Sequence, residues 1–373
     1  MAHIHSVISE APAYNITQME FYDHVAPKIN PRLHNIFKKI LTGSQIRKRH
    51  FSTGLDQMTG LTEQKRVADK FSIWKETTME FWTRQAKDVI KKAGLMPDEI
   101  DGICTSTTSG FITPDPSVLI QHELSLRGDI IRLPLFGFGC SGGQAAIHRV
   151  DEYLTAFPDR AILVFVGEAL STQYEEALSV STIVSNSIFG DGYATMLMVG
   201  NEHRLAAKSQ IELMNIKSII FPNCDFAIGQ WMTDEGIHTH IDAKLPRLIR
   251  SSVKAPLEAM FSESGVKASD VDYWICHAGG PKVMEVFAET MQLEEKHLHD
   301  TMETYRNYGN QSSVSVVTAL DRILSTNTEE GLGYMMAIGP GIHMEYSLCK
   351  VTPRPEQNQL AHRRSALREA VEV

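Results

Sequence analysis

The stretch with the clearest chemical content in this 373-residue chain is Phe136-Gly137-Phe138-Gly139-Cys140-Ser141-Gly142-Gly143-Gln144-Ala145-Ala146. The apolar run from Ile130 to Phe136 reads as a buried strand leading into it. The run from Gln144 to Leu154 reads as a helix leading out. Cys140 then falls where a strand turns into a helix, with glycine on both sides. Free N–H groups and the dipole at a helix N-terminus favour a thiolate. The glycines let substrate and backbone approach closely. The alternative is a packed thiol in a tight turn, because free cysteine is among the most buried residue types. Two further residues stand at comparable places. His277 ends an apolar strand and precedes Ala278-Gly279-Gly280, and Asn310 opens a helix from Gln311 to Leu324. An asparagine there is also a standard helix cap.

The elements that must position these residues alternate between strand and helix. Residues 3–25 read as a short strand and a loop, and 31–41 as an amphipathic helix. A long helix is expected from Thr62, a possible cap, to Ala93, with Gly94 as its stop. Strands are expected over 99–107, 161–167, 193–199, 211–221, 236–241, 273–276, 333–338 and 342–350. Helices are expected over 117–126, 245–264 and from Pro281 onward. The continuous apolar run Ala161–Gly167 suits a strand covered on both faces, so an α/β fold with helices on both sides of the sheet follows. The two halves also echo each other. In each, a strand ends in a polar or reactive residue (Thr105, His277), a glycine-led turn opens a helix rich in small residues (Cys140, Asn310), and a glycine turn precedes a last strand (Gly190-Asp191-Gly192, Gly339-Pro340-Gly341). Such a duplication brings Cys140, His277 and Asn310 to facing element ends. The halves are expected at 1–205 and 206–351, followed by a polar tail, 352–373, that is frayed or loosely docked.

Composition narrows the class. The net charge of −9 argues against general nucleic-acid binding. The five cysteines are odd in number, scattered and free of CxxC spacing, which points to free thiols in a reducing compartment. Met1-Ala2-His3-Ile4-His5 lacks the marks of a signal peptide, and no apolar run is long enough to span a membrane, so a cytoplasmic protein is expected. The His pairs at 238/240 and 297/299 have no further ligands in sequence and are read as surface or pocket histidines, with no metal site.

The motifs Gly-Cys-Ser-Gly-Gly at 139–143, His-Ala-Gly-Gly-Pro at 277–281, Tyr-Gly-Asn-Gln-Ser-Ser at 308–313 and Gly-Pro-Gly at 339–341 occur in that order. Together with Thr-Thr-Ser-Gly at 107–110 and Ser-Ile-Phe-Gly-Asp-Gly at 187–192, they resemble type III polyketide synthases, the chalcone-synthase-like branch of the thiolase superfamily. The related single-condensation β-ketoacyl synthase III enzymes share the Cys-His-Asn set and are the alternative. The resemblance implies a thiolase-like five-layer αβαβα fold with internal duplication, and a homodimer that uses CoA thioesters and no metal or other cofactor. It implies loading of an acyl starter from acyl-CoA onto Cys140 and decarboxylative Claisen condensation with malonyl-CoA, giving a pyrone or aromatic product. His277 would be the partner of the thiolate and a donor to the thioester carbonyl, and Asn310 the second carbonyl donor. Phe189 matches an aromatic gate between the CoA tunnel and the acyl cavity, with Gly341 in a loop that shapes the pocket. Thr108 and Ser312 fall within the matched motifs as substrate contacts. Thr113 and Thr239 stand where plant enzymes carry Met and Phe, which implies an altered and roomier cavity. Arg47, Lys48 and Arg49 match the basic segment that meets CoA phosphates.

Overall fold

The computed structural model describes residues 1–353 apart from 176–178, 225–226, 234–235 and 243. Alternate residues of its central strands face two different layers of helices. On the strand Ala161–Glu168, Ile162, Val164 and Val166 point inward to one core, while Ala161, Leu163 and Phe165 pack against the long outer helix Val67–Ala93. On Gly331–Gly339, Met335 belongs to the inner core, and Tyr334, Met336 and Ile338 to a second outer one. The side-chain period of two lets one strand close two interfaces at once.

The strand order shows the duplication directly. In the first half the order is Ala2–Glu10, Gly192–Gly200, Ala161–Glu168, Gly102–Ser106, Ile131–Leu135. In the second it is Ile211–Ile220, His343–Val351, Gly331–Gly339, Tyr273–Cys276, the same order without the fifth strand. The matching pairs share their direction: antiparallel, antiparallel, then parallel. The two halves meet through a short pairing of His3 and Ile4 with Glu212 and Ile211.

Between them lie the helices Gly142–Ala156 and Ser315–Thr326, whose small residues are buried on nearly every side. Layer by layer this is helix, sheet, helix, sheet, helix, the five-layer fold expected from the resemblance. The packing at the inner helices is so close that a Cβ on Gly143 would lie 2.3 Å from the Ser313 carbonyl oxygen, just before the second helix, and one on Gly142 2.5 Å from Ser106 Oγ on the strand Gly102–Ser106.

Several local expectations need correction. The long helix is two, Leu55–Glu63 and Val67–Ala93. Thr62 lies in the last turn of the first, where its hydroxyl donates to the Met58 and Tyr174 carbonyls instead of capping. Gly94, at φ +64°, ends the second as expected. Residues 245–264 also form two helices, because Pro256 has no N–H to carry the ladder across Val253. The expected loop before residue 25 contains the helix Gln18–Val25, capped by Thr17 and Glu20 in the reciprocal pattern of a capping box. Ile131–Leu135 is not a buried strand. It is the sheet edge, with Arg132 and Pro134 outward, which is where a proline is tolerated. The tail beyond residue 353 lies outside the described residues.

The inner-helix contact generates a test. Gly143→Ala should destabilise the protein by about 3 kcal/mol, since backbone stands where the methyl must go. Gly60→Ala, in a helix with nothing within 4 Å of the new Cβ, should stabilise by about 1 kcal/mol. Denaturant unfolding of both variants checks this; equal midpoints would contradict it.

Candidate active site

Cys140 occupies the single turn Gly139–Ser141 that precedes the helix Gly142–Ala156. The turn is held from the other half of the chain. Gly139 takes φ +53°, and a Cβ there would strike the Pro340 ring at 2.3 Å. Ser141 Oγ hydrogen-bonds to the Phe138 carbonyl at 2.8 Å and to His343 Nε2, while His343 Nδ1 lies 2.8 Å from the Pro340 carbonyl. The Gly339-Pro340-Gly341 loop is thereby fastened to the Cys140 turn. Gly341, at φ +72°, donates its N–H to the Ile228 carbonyl.

His277 follows directly on the strand Tyr273–Cys276, and its N–H continues the ladder to the Met336 carbonyl at 2.8 Å. Its ring is buried, and Nδ1 has no hydrogen-bond partner among the described residues. Asn310 is cap and donor at once. Its Oδ1 accepts the Ser312 N–H at 2.8 Å, and its Nδ2 has only a long contact, 3.4 Å, to the Gly279 carbonyl. Its backbone pairs with the segment at Phe189: Asn310 N–H donates to Ile188, and Gly190 N–H donates to Asn310. Ser312, strained at φ +50°, places its hydroxyl 3.6 Å from the Cys140 sulfur. Cys140, His277, Asn310 and Phe189 all line one cavity of about 790 Å³, within the range of small-molecule sites.

The electrostatics differ from the simple helix-dipole argument. Burial pushes the Cys140 thiol up to about 11, against the Ser312 hydrogen bond, and pushes His277 down to about 4. Burial disfavours the charged form of each group taken alone. A thiolate here requires the imidazolium to form with it.

Glu168 is the functional-site neighbour that the motif reading missed. It is fully buried, and burial raises its carboxyl above the usual range. It accepts hydrogen bonds from Ser313 Oγ at 2.5 Å, Thr108 Oγ1 at 3.0 Å and the Ser109 N–H at 2.9 Å. It therefore ties the Asn310 helix to the polar cluster of the first half. An acid closing the apolar run Ala161–Gly167 was its signal in the sequence.

The binding residues divide. Phe189 lines the large cavity and also a small one of about 20 Å³. Thr239 faces only the small one, and Thr108 is engaged with Glu168. The roomier cavity expected from Thr239 is absent on that side. Glu175 accepts the Thr239 N–H and meets His238 Nδ1 at 2.6 Å, and Gln230 bridges Gln173 to Thr239, so longer side chains fill the space. Thr113 is exposed on a loop between Phe111 and Pro114.

Arg49 is not a phosphate contact. It is 1% exposed, stacked at 4.3 Å on Phe21, and donates to the Asn186 and Phe189 carbonyls and to Gln18. It anchors the Phe189 segment from behind. Arg47 grips Glu303 with both terminal nitrogens, at 2.8 and 3.1 Å, and Lys48 is half-buried on the strand Lys48–His50. The cationic side chains that do line the large cavity, among the described residues, are Lys39 and Lys282. Lys39 belongs to the amphipathic helix His34–Gly43, whose Ile36 and Ile40 also face the cavity.

The His277 shift fixes a pH dependence. Its proton is bound more weakly in the folded state, so the unfolded chain takes up a proton first as pH falls. Stability is lost on going from about pH 6.5 to about pH 4, by on the order of 3 kcal/mol from this residue. In His277→Gln the fall in unfolding free energy across that window should be smaller by this amount; an unchanged fall would contradict the buried neutral imidazole.

Comparison with known proteins agrees with the site. Residues 18–229 match the family described as FAE1/type III polyketide synthase-like protein, and residues 212–353 match the C-terminal domain of chalcone and stilbene synthases. Among curated relatives, 1,3,6,8-tetrahydroxynaphthalene synthase of Streptomyces peucetius subsp. caesius is 24% identical, covering 84% of this chain and 83% of its own. A 3,5-dihydroxyphenylacetyl-CoA synthase of Amycolatopsis orientalis is 25% identical over 94% of this chain and 92% of its own. The crystal structure of 1,3,6,8-tetrahydroxynaphthalene synthase from Streptomyces coelicolor A3(2) superposes with a TM-score of 0.86, at 23% identity, over 94% of this chain and all of that one, and so shares the fold. With the fold, the turn bearing Cys140 and the family match in agreement, the chain belongs to the FAE1/type III polyketide synthase-like family and is a condensing acyltransferase.

Proposed function

We propose that Cys140 accepts an acyl starter from acyl-CoA and that His277 and Asn310 direct its extension with malonyl-CoA. The observation that carries this is the convergence of a thiol, an unpartnered imidazole and a nearly free amide on one cavity. In the loading step the Cys140 proton passes to His277 and the thiolate attacks the thioester carbonyl. CoA leaves as its thiolate, takes a proton back, and the acyl group remains on sulfur. Malonyl-CoA then binds with its thioester oxygen toward the His277 and Asn310 N–H groups. Its carbon–carbon bond breaks, carbon dioxide leaves, and the electron pair becomes an enolate whose oxygen those donors stabilise. The enolate carbon attacks the acyl carbonyl, and the Cys140 thiolate departs, leaving a β-ketoacyl-CoA. Two N–H donors supply the stabilisation that would otherwise call for a metal, which supports a reaction with no cofactor beyond the CoA thioesters. Repeated cycles would give a polyketide that closes to an aromatic or pyrone product. The relatives' activities, synthesis of 1,3,6,8-tetrahydroxynaphthalene and of 3,5-dihydroxyphenylacetyl-CoA, favour this over a single condensation.

We further propose a homodimer in the cytoplasm. Exposed Phe111 and Phe136 pack edge to face at 5.7 Å beside Thr113 and near the open sheet edge, an apolar pair suited to a second copy. The five free cysteines suit a reducing compartment.

Cys140→Ala should abolish acyl-enzyme formation in intact-protein mass spectrometry; acylation at another thiol would overturn the assignment. Asn310→Ala should lower malonyl-CoA decarboxylation about a hundredfold or more while leaving starter loading within a few-fold; equal losses would contradict its role. Phe111→Glu should shift the sedimentation of the protein from dimer toward monomer, and an unchanged dimer would remove this face from the interface.

A further inference from the structure

The wall of the large cavity is mostly apolar. Its apolar side chains come from separate elements that converge on one space: Ile40 from the helix His34–Gly43, Val184 from Val180–Ile188, Leu245 and Ile249 from Leu245–Ser252, and Met284 with Phe287 from Pro281–Met291. Beyond Cys140, His277 and Asn310, the polar side chains on the wall are few: Lys39, Ser44, Ser181, Asp242, Lys282 and Tyr305. Ser44 donates to the Leu41 carbonyl, Asp242 accepts the Lys244 N–H, and Lys282 pairs with Glu285. Tyr305 has an unpartnered hydroxyl among the described residues, but it lies 3.9 Å from where a Cβ on Gly280 would stand, beside the turn that follows His277. That is the thioester end of the cavity. A ring bearing hydroxyl groups would turn most of them toward the apolar side chains of the wall, at a cost in desolvation. A saturated chain meets no such cost, and each methylene moved out of water strengthens binding by about fourfold. The space on the far side of Phe189 cannot take the starter instead, since it holds only about 20 Å³ around Thr239.

We propose that the starter is a linear saturated acyl group, held as an alkyl chain against this apolar wall while its carbonyl is on Cys140. This rests on the reading of the protein as an acyl-CoA-loading synthase and names its starter class. Val184 and Ile249 then set how long a chain the cavity takes.

Two measurements test it separately from that reading. On the Cys140→Ala protein, calorimetry with S-alkyl-CoA thioethers should give affinity that rises about fourfold per methylene and then levels off at a definite length. Affinity that is flat with chain length, or no tighter than for CoA itself, overturns the proposal whether or not the enzyme makes polyketides. With the native enzyme and malonyl-CoA, product yields across starters from acetyl-CoA to palmitoyl-CoA should rise to an optimum at several carbons and exceed those with benzoyl-CoA. Val184→Trp, on a half-buried position, should move both the thioether limit and this optimum to shorter chains. An aromatic starter preferred over every alkyl one, or a limit unmoved in a folded Val184→Trp protein, also overturns it. If the thioethers bind as expected but no carbon dioxide is released from malonyl-CoA with any starter, the alkyl site stands and the condensing reaction assigned to this site falls.

Discussion

The site depends on one close approach. The helices Gly142–Ala156 and Ser315–Thr326 pack at the centre of the molecule with no room for a Cβ on Gly143. Because each helix starts at the C-terminal ends of the strands of its own half, bringing the helices together brings those strand ends together too. Cys140 stands at the start of one helix, Asn310 just before the other, and His277 at the end of a second-half strand. Ligands of open α/β sheets gather at the carboxyl ends of strands for the same geometric reason. Here two such ends face each other across the duplication.

Polar groups make that approach specific. Glu168 accepts from both halves at once, from Thr108 and Ser109 on one side and Ser313 on the other. A second buried carboxylate, Asp191, takes N–H groups from Ser52 and Ser171 at 2.6 and 2.7 Å. A fully buried pair beneath the nucleophile helix, His148 and Glu345 at 2.6 Å, links it to the last strand of the second half. Pairs of this kind contribute little net stability, but removing one partner leaves the other buried and unpaired. They act as registers that admit one arrangement of the halves. Arg49 serves the same end at Phe189, holding the carbonyls of a segment whose other edge is paired to Asn310.

Such a scaffold lets the reactive groups remain uncomfortable. A thiol pushed up to about 11 and an imidazole pushed down to about 4 share a poorly solvated cavity. Nδ1 of His277 has no hydrogen-bond partner among the described residues, and Nδ2 of Asn310 has only the long contact to the Gly279 carbonyl. The cost is carried by the surrounding core, which is where functional strain is usually supported.

The sequence by itself determined the alternation of strands and helices, the duplication, the two small-residue helices and the three candidate residues Cys140, His277 and Asn310. Each of these is a local matter: periodicity, glycine at a turn, a reactive side chain at the end of an apolar run. It did not determine where the helix from 62 to 93 breaks, nor that Ile131–Leu135 is an edge, since neighbours in space decide those. The binding residues were least legible. Arg49 and Lys39 are both cations in basic stretches, and only packing put one under Phe21 and Phe51 and the other on the cavity wall. Thr239 is small, yet the space beside it is closed by Glu175 and Gln173, which are distant in sequence. The burial that raises the Cys140 thiol and lowers the His277 imidazole likewise came from the fold. Residue types and turns are written along the chain. Volume, exposure and charge state are properties of what surrounds a side chain, and only the folded arrangement sets that.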